Sequence, residues 1–511
     1  MMHAGFRSPL LASLLLPVLA SQLAAQNLSL DKVGGALGGV ASFPIQGQPN
    51  EAFVLLLDIV EIPTPLPALG VTLDITDAFA WFSFSMPGWA GALNGSGVAT
   101  PSVVIPNDPF FSSLTFSFQA IAGVGVPYRV SNLVRLTAQA PQTFVNALNQ
   151  PSVPVIGGGT AAAPNNELLF VGGSGPVAQR YKSRTEEWEL AGATFGVGLL
   201  SQTTGLADGR VLFTGGLDLT TGQPSTAAAV YDPVTQTTTT LAMAFPRAGH
   251  GASLMSNGRV LISGGSSTVD LGNPLSLFTG LLVTTELFDP ATNTFLPGPN
   301  MLEARGFHTS TTLTTGRVLI AGGIALLPIV NIPNVSATAY LFNPTTNSFG
   351  LPSVMNGARF LHTATPLSNG RVLLVGGLTL DLTTFLTTLN PLDIIIGTRT
   401  DCQLFAPSFL GFGTFTTVNG MQVGRAGAAV APLANGGAVI AGGFQMAIDV
   451  ATSTFVLNAT ATADRFTQSP NAIAPVGSMA APRLFPTTVN LPDGTVMVVG
   501  GGPTNAEIYQ Q

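Results

Sequence analysis

Five stretches of the chain carry one set of residues at one spacing: a Met, an Arg four positions on, and a Gly-Gly pair beginning seventeen positions after the Arg. They are Met243/Arg247/Gly264, Met301/Arg305/Gly322, Met355/Arg359/Gly376, Met421/Arg425/Gly442 and Met479/Arg483/Gly500. Two further stretches keep only the later half, Asp208-Gly209 before Gly215-Gly216 and Asn165-Asn166 before Gly172-Gly173. A repeat of this length is one supersecondary unit that buries its apolar face only against its neighbours, so the seven units must stack.

Each unit reads as four antiparallel strands. In the copy opened by Met301, Gly306 to Leu313 is the first strand, Thr315-Gly316 the turn, and Arg317 to Ala321 the second strand, closed by Gly322-Gly323. Ala337 to Phe342 is the third strand, Asn343-Pro344-Thr345-Thr346 the next turn, and Ser348-Phe349 the fourth strand. The first turn needs positive φ, which Asn or Asp followed by Gly adopts at little cost; Asp208-Gly209, Asn257-Gly258, Asn369-Gly370, Asn435-Gly436 and Asp493-Gly494 supply it. In the second turn, at Asp232-Pro233, Asp289-Pro290 and Asn343-Pro344, Pro presets φ and the preceding side chain accepts a backbone N–H. The Gly-Gly pair is expected where a Cβ would meet the neighbouring sheet.

These residues resemble kelch repeats: a Gly pair closing the second strand, an aromatic late in the third, an Asp-Pro turn and a second aromatic. Phe295 and Phe349 stand where kelch units usually have Trp, which the first unit keeps as Trp188. The resemblance implies a β-propeller with one unit per blade. The last unit stops at Ala506-Glu507-Ile508-Tyr509 without a fourth strand, and Thr143-Phe144-Val145, ahead of the first unit, is expected to complete it.

The expected fold is all-β, an N-terminal β-sandwich followed by a seven-bladed kelch-type β-propeller. Residues 1–25 read as a signal peptide, with Arg7, the apolar run Leu10 to Ala20 and the small-residue site Leu23-Ala24-Ala25. Residues 26–141 form the sandwich and 142–511 the propeller. Short apolar runs in the first domain, such as Ala52 to Ile59, Ala78 to Phe84 and Leu114 to Ala120, are bounded by turn residues. The run Leu93-Asn94-Gly95-Ser96-Gly97-Val98-Ala99-Thr100, with Ile105-Pro106-Asn107-Asp108-Pro109, Leu114 to Ala120 and Ser131-Asn132, resembles a module that recurs in exported bacterial proteins. Phe79 and Trp81, two apart on a strand, form with Trp89 a candidate sugar-stacking platform, packing being the alternative.

The surface suits neutral partners. Only 8% of residues are charged, and 18 Lys+Arg against 25 Asp+Glu leave a net charge of -7, with no basic run for nucleic acid. No stretch of the mature chain is long and apolar enough to span a membrane. The single Cys402 excludes an intramolecular disulfide. Arg247, Arg305, Arg359, Arg425 and Arg483 recur with the repeat and are read as structural, donating to carbonyls at blade junctions. His250, His308 and His362 each follow such an Arg by three residues, either as a ring around the channel or as packed strand residues. Asp218, Asp270, Asp381 and Asp449 follow Gly-Gly pairs and are read as turn formers, with cation binding from the loops the alternative.

Copper radical oxidases of the galactose oxidase and glyoxal oxidase type also use a seven-bladed kelch propeller, and the resemblance implies two Tyr, one cross-linked to a Cys, and two His around copper. Tyr181, Tyr231 and Tyr509 occupy the repeat's aromatic position instead, leaving Tyr340 and Tyr128. No catalytic residue, metal ligand or cofactor is therefore assigned. Loops between the second and third strands are long at Ser266 to Val283, Ile324 to Ser336, Leu378 to Arg399 and Phe444 to Ala461. Their apolar residues either form a recognition surface or fold over one another. Phe278, Leu281, Ile329, Phe385, Ile395 and Arg399 are the candidate binding residues. The expected role is an exported, non-catalytic binding or scaffolding protein, secreted or at the cell surface, whose partner is a polysaccharide or surface protein; the copper radical oxidase is the alternative.

Overall fold

The computed structural model describes residues 28–152, 159–163, 167–171, 177–193, 198–218, 220–269, 276, 279–326, 333–388, 394–408, 411–418, 420–449, 454–502 and 506–511. The expected signal peptide, Asp270, Phe278 and Ile329 lie outside them. The described chain is nearly all β, in many small antiparallel sheets. It divides into two compact units at Ala140/Pro141.

The N-terminal unit is centred on Ala52–Asp58 paired with Thr115–Gly123, the middle of a five-stranded sheet. Two three-stranded sheets, built around Ile45–Gln46 and around Val40–Ser42, add the rest of its framework. One apolar core gathers Leu30, Phe43, Ile45, Leu55, Trp89 and Phe118. The run expected as a strand at Ala78 to Phe84 is instead a short helix, Ala80–Ser85. Its alternation of aromatic and small residues imitates a strand, and six residues are too few to reveal a helical period. Trp81 is exposed, whereas Trp89 is buried and donates its indole N–H to the Ser102 carbonyl at 3.0 Å. The three rings therefore do not make one stacking platform.

In the C-terminal unit the repeat becomes a series of antiparallel sheets. The third, for example, orders Gly251–Leu254, Val260–Ser263, Thr285–Asp289 and Thr294–Pro297. The leading strands neighbour one another in chain order: Gly159–Ala163, Gln202–Gly205, Gly251–Leu254, Thr309–Thr312, Thr363–Pro366, Ala429–Pro432 and Thr487–Asn490. The last of these also lies against the first. Turn chemistry follows the sequence. Gly209, Gly258, Gly316, Gly370, Gly436 and Gly494 all have positive φ, and Asp232, Asp289 and Asn343 accept backbone N–H groups two residues on.

The fourth strand of the last sheet is Phe144–Asn146, paired with Ala506–Tyr509. Phe144 sits 5.0 Å from the Tyr509 ring, matching Phe288–Phe295 at 5.1 Å and Phe405–Phe415 at 4.9 Å in other sheets. It occupies the position that Trp188, Phe295, Phe349 and Phe415 fill in four other sheets, whereas the second and sixth sheets have Thr238 and Ile473 there.

The repeat Arg explains the constant spacing. Arg247, Arg305, Arg359, Arg425 and Arg483 are fully buried. Each donates from Nη1 to the carbonyl of the Gly seventeen residues on, at 2.7 to 3.1 Å. The carbonyl of Arg305 in turn accepts the N–H of Gly265 in the preceding unit, at 2.9 Å, and the same bond recurs at Gly216, Gly323, Gly377 and Gly443. One residue thus ties its own sheet to the one before. A Cβ on Gly264 would collide with the Arg305 carbonyl, and both glycines of the pair have positive φ.

Candidate functional site

The leading strands do not run straight. Gly306 to Leu313, expected as one strand, is broken by Phe307, whose φ is +58°. The same left-handed turn falls two residues after the repeat Arg in each full unit, at Gly249, Phe307, Leu361, Gly427 and Phe485, and again at Leu200. Leu200, Phe307, Leu361 and Phe485 hold this conformation as bulky residues, at a cost of about 1–3 kcal/mol each. The backbones of Leu200, Gly249, Phe307, Leu361 and Gly427 form a chain of hydrogen bonds from sheet to sheet. Gly249 N–H donates to Leu200 at 3.0 Å, Phe307 to Gly249 at 2.7 Å, Leu361 to Phe307 at 3.0 Å and Gly427 to Leu361 at 2.9 Å. Gly is required at 249 and 427 because a Cβ there would enter the rings of Phe307 and Phe485.

This collar borders a cavity of about 300 Å³. Its lining combines the apolar Leu200, Phe307, Leu361 and Phe485 with Ser201, Gln202, Thr309, Ser310 and the three histidines. Among the described residues, no Asp, Glu, Lys or Arg lines it. His250, His308 and His362 are buried, and each Nε2 makes a 2.9 Å hydrogen bond to a hydroxyl, of Thr214, Ser263 and Thr309 respectively. Each Nδ1 is buried without a hydrogen-bond partner. Burial, aided by the Arg247 charge, lowers the His250 pKa to about 3, and burial beside Arg305 and Arg359 lowers those of His308 and His362 well below the usual value. All three rings are neutral at pH 7. The packed reading of the histidines is the one the geometry supports, since each ring Cε1 rests against the Gly that ends the preceding sheet's second strand.

The repeat arginines face away into paired sites. Arg247 meets Glu286 at 3.0 Å, Arg359 meets Asp401 at 2.8 Å, Arg425 meets Asp464 at 2.7 Å and Arg483 meets Glu507 at 2.8 Å. In the fourth sheet Glu303 takes the acid's place, accepting from Arg305 and from the Tyr340 hydroxyl, both at 2.9 Å. These acids escape the sequence reading although a signal exists. Glu286, Asp464 and Glu507 stand two residues before the third-strand aromatic, and the units without a repeat Arg have Gln179 and Ala229 there.

The candidate binding residues scatter. Leu281 packs against the apolar cluster of Phe307, Phe360, Leu378 and Phe444, as does Ile396, and Ile394 is buried within it. Arg399 is held by Asp401 at 2.6 Å. Ile395 is exposed, and Phe385 lies on a single helical turn, Phe385–Thr388. The described parts of these loops thus fold largely over one another. Asp218 and Asp381 accept N–H groups within their own turns.

The copper ligand set implied by the resemblance is not assembled. Cys402 is buried among Leu373, Val375, Leu404 and Val418 with no Tyr in its cluster, and burial pushes its thiol up to about 12. Tyr181, Tyr231 and Tyr509 are buried between sheets, and Tyr128 belongs to the N-terminal unit. Among the described residues no group of three or more His, Cys, Asp or Glu is placed to hold a metal ion. No described helix is long and apolar enough to cross a membrane.

No family model matches the chain. Over 109 residues, 21% of its length, it is 31% identical to galactose oxidase of Gibberella zeae, and the match spans 13% of that protein. Among solved structures, it is similar to a fungal alcohol oxidase of the AA5 family in complex with copper. The identity is 14%, the TM-score 0.38, and the coverage 62% of this chain and 74% of that one.

Proposed function

We propose that the chain is a two-domain exported protein, a β-sandwich followed by a seven-bladed kelch-type propeller, and that the collar cavity binds a neutral, hydroxyl-rich ligand, a saccharide. The cyclic neighbour order of the leading strands and the Phe144 strand support the propeller. The observation that carries the binding reading is the cavity itself: uncharged among the described residues, lined by large apolar side chains together with hydroxyls and an amide, and bordered by strained left-handed residues. Sugars present this combination of C–H faces and hydroxyl edges, and backbone strain concentrates at functional sites. The sequence of residues 1–25 supports action outside the cytoplasm.

A second reading, an oxidase of the copper radical class, is favoured by the galactose oxidase match. The relatives favour this reading over a non-catalytic binder, and the side chains favour the binder. Titration calorimetry of the purified protein with neutral oligosaccharides tests the first, with Phe307→Ala expected to weaken binding at least about tenfold, the cost of losing a well-buried aromatic contact. Retention of one tightly held copper per chain, with peroxide release on primary alcohols, would replace the binder by the oxidase.

A further inference from the structure

The N-terminal unit contains a second cavity, of about 260 Å³, between its sheets. Its walls are Leu57, Phe82, Trp89, Phe111, Phe116 and Phe118, with Val103 to Pro106, Leu136 and Ala138 completing the lining. The Trp89 indole N–H is already satisfied by Ser102, so it presents no unpaired donor. Water needs two to four polar partners to settle in a cavity, and an apolar space of ~150 Å³ is already known to stay dry and take up benzene. Among the described residues, the lining of this space likewise offers water no side-chain partner.

It is also open to the outside. Val104, part of the lining, is 69% exposed. Phe110, 61% exposed, makes an edge contact with the lining residue Phe111 at 5.7 Å, and Trp81, 67% exposed, does the same with Phe82 at 6.0 Å. Exposed apolar side chains that continue into an apolar cavity mark an entrance, since a packing defect has no need of such a rim. We propose that this cavity binds an uncharged alkyl chain. The lining offers no counter-charge, which excludes an ionised group inside, and the absence of hydroxyl or amide side chains excludes a sugar.

Two sources present such a chain, a free long-chain alcohol and the acyl tail of a lipid, and the test separates them. In the full-length protein, Trp81→Phe and Trp188→Phe leave Trp89 as the single indole of the three. Its emission is followed during titration with 1-octanol and, separately, with phosphatidylcholine vesicles. A saturable change with octanol supports the site, and the vesicle arm reports whether a bilayer tail also reaches it. Ala138→Leu, which fills the space, is expected to weaken octanol binding at least about tenfold, the effect of denying burial to two methylene groups. Ala138→Val gives a milder version should the larger side chain impair folding. A non-saturable octanol response, or one unchanged by both substitutions, would overturn the proposal.

Discussion

Replacing Arg425 by Met should be among the most damaging single changes in the C-terminal unit. Arg425 and Asp464 are both fully buried, 2.7 Å apart. The same guanidinium donates to the Gly442 and Thr462 carbonyls at 3.1 and 2.7 Å. Met removes the charge and leaves Asp464 uncompensated, which costs about 3–5 kcal/mol, and the two carbonyls lose donors as well. Asp464 already has a raised pKa from burial, so protonation limits the loss, and the penalty should shrink on acidification. Removing both charges, as Arg425→Met/Asp464→Leu, should restore at least about 1 kcal/mol relative to the single variant, because no orphan carboxylate remains. Urea denaturation of the full chain, reading the transition of the C-terminal unit, compares wild type, Arg425→Met, Asp464→Leu and the double variant. Arg425→Met within about 1 kcal/mol of wild type, or a double variant losing the sum of the two single changes, would refute the coupling of the buried Arg425–Asp464 pair.

Two further outcomes follow from the packing. Deleting residues 142 to 148 removes the strand Phe144–Asn146 and should lower the melting temperature of the C-terminal unit sharply, while Phe144→Ala alone should cost about 2–3 kcal/mol, since its ring is half-buried against Tyr509; calorimetry reads both. The buried histidines predict acid sensitivity. The folded pKa of His250 is about 3 against an ordinary value of 6.5 in the unfolded chain, so the unfolded chain alone binds the proton between those values. The stability from keeping this ring neutral is present above pH 6.5 and lost as pH falls toward 3, at about 1.4 kcal/mol per pH unit per ring. His250→Gln should flatten that part of the stability profile, and an unchanged profile would contradict the assignment.

Much of the architecture is written in short-range chemistry. Asn-Gly and Asp-Gly turns, the Gly pairs and the Arg at fixed distance each have a local physical reason, and the orphan Phe144 stands out because Tyr509 lacks the nearby partner in sequence that Phe288 and Phe342 possess. The collar is hidden because only two of its left-handed positions carry Gly. Phe307, Leu361 and Phe485 look like ordinary strand residues, and the backbone hydrogen bonds that hold Phe307 and Leu361 in this conformation come from neighbouring sheets. Ala80–Ser85 misleads in the opposite way, with a strand-like alternation on a helix of six residues. Loop residues such as Leu281 and Ile394 are apolar for their contacts with one another, which no single loop reveals.

The pairing of Phe144–Asn146 with Ala506–Tyr509 also sets a timetable for synthesis. Gln150, beside that strand, hydrogen-bonds to Ala506, 356 residues away. At roughly 5–20 residues per second, a ribosome takes about 20–70 seconds to deliver the second partner after the first. For that interval the Phe144 segment has a free edge, and the six preceding sheets assemble with their last neighbour missing. Slow codons or a holding chaperone acting late in translation should therefore affect the yield of native protein more than the same delays placed early.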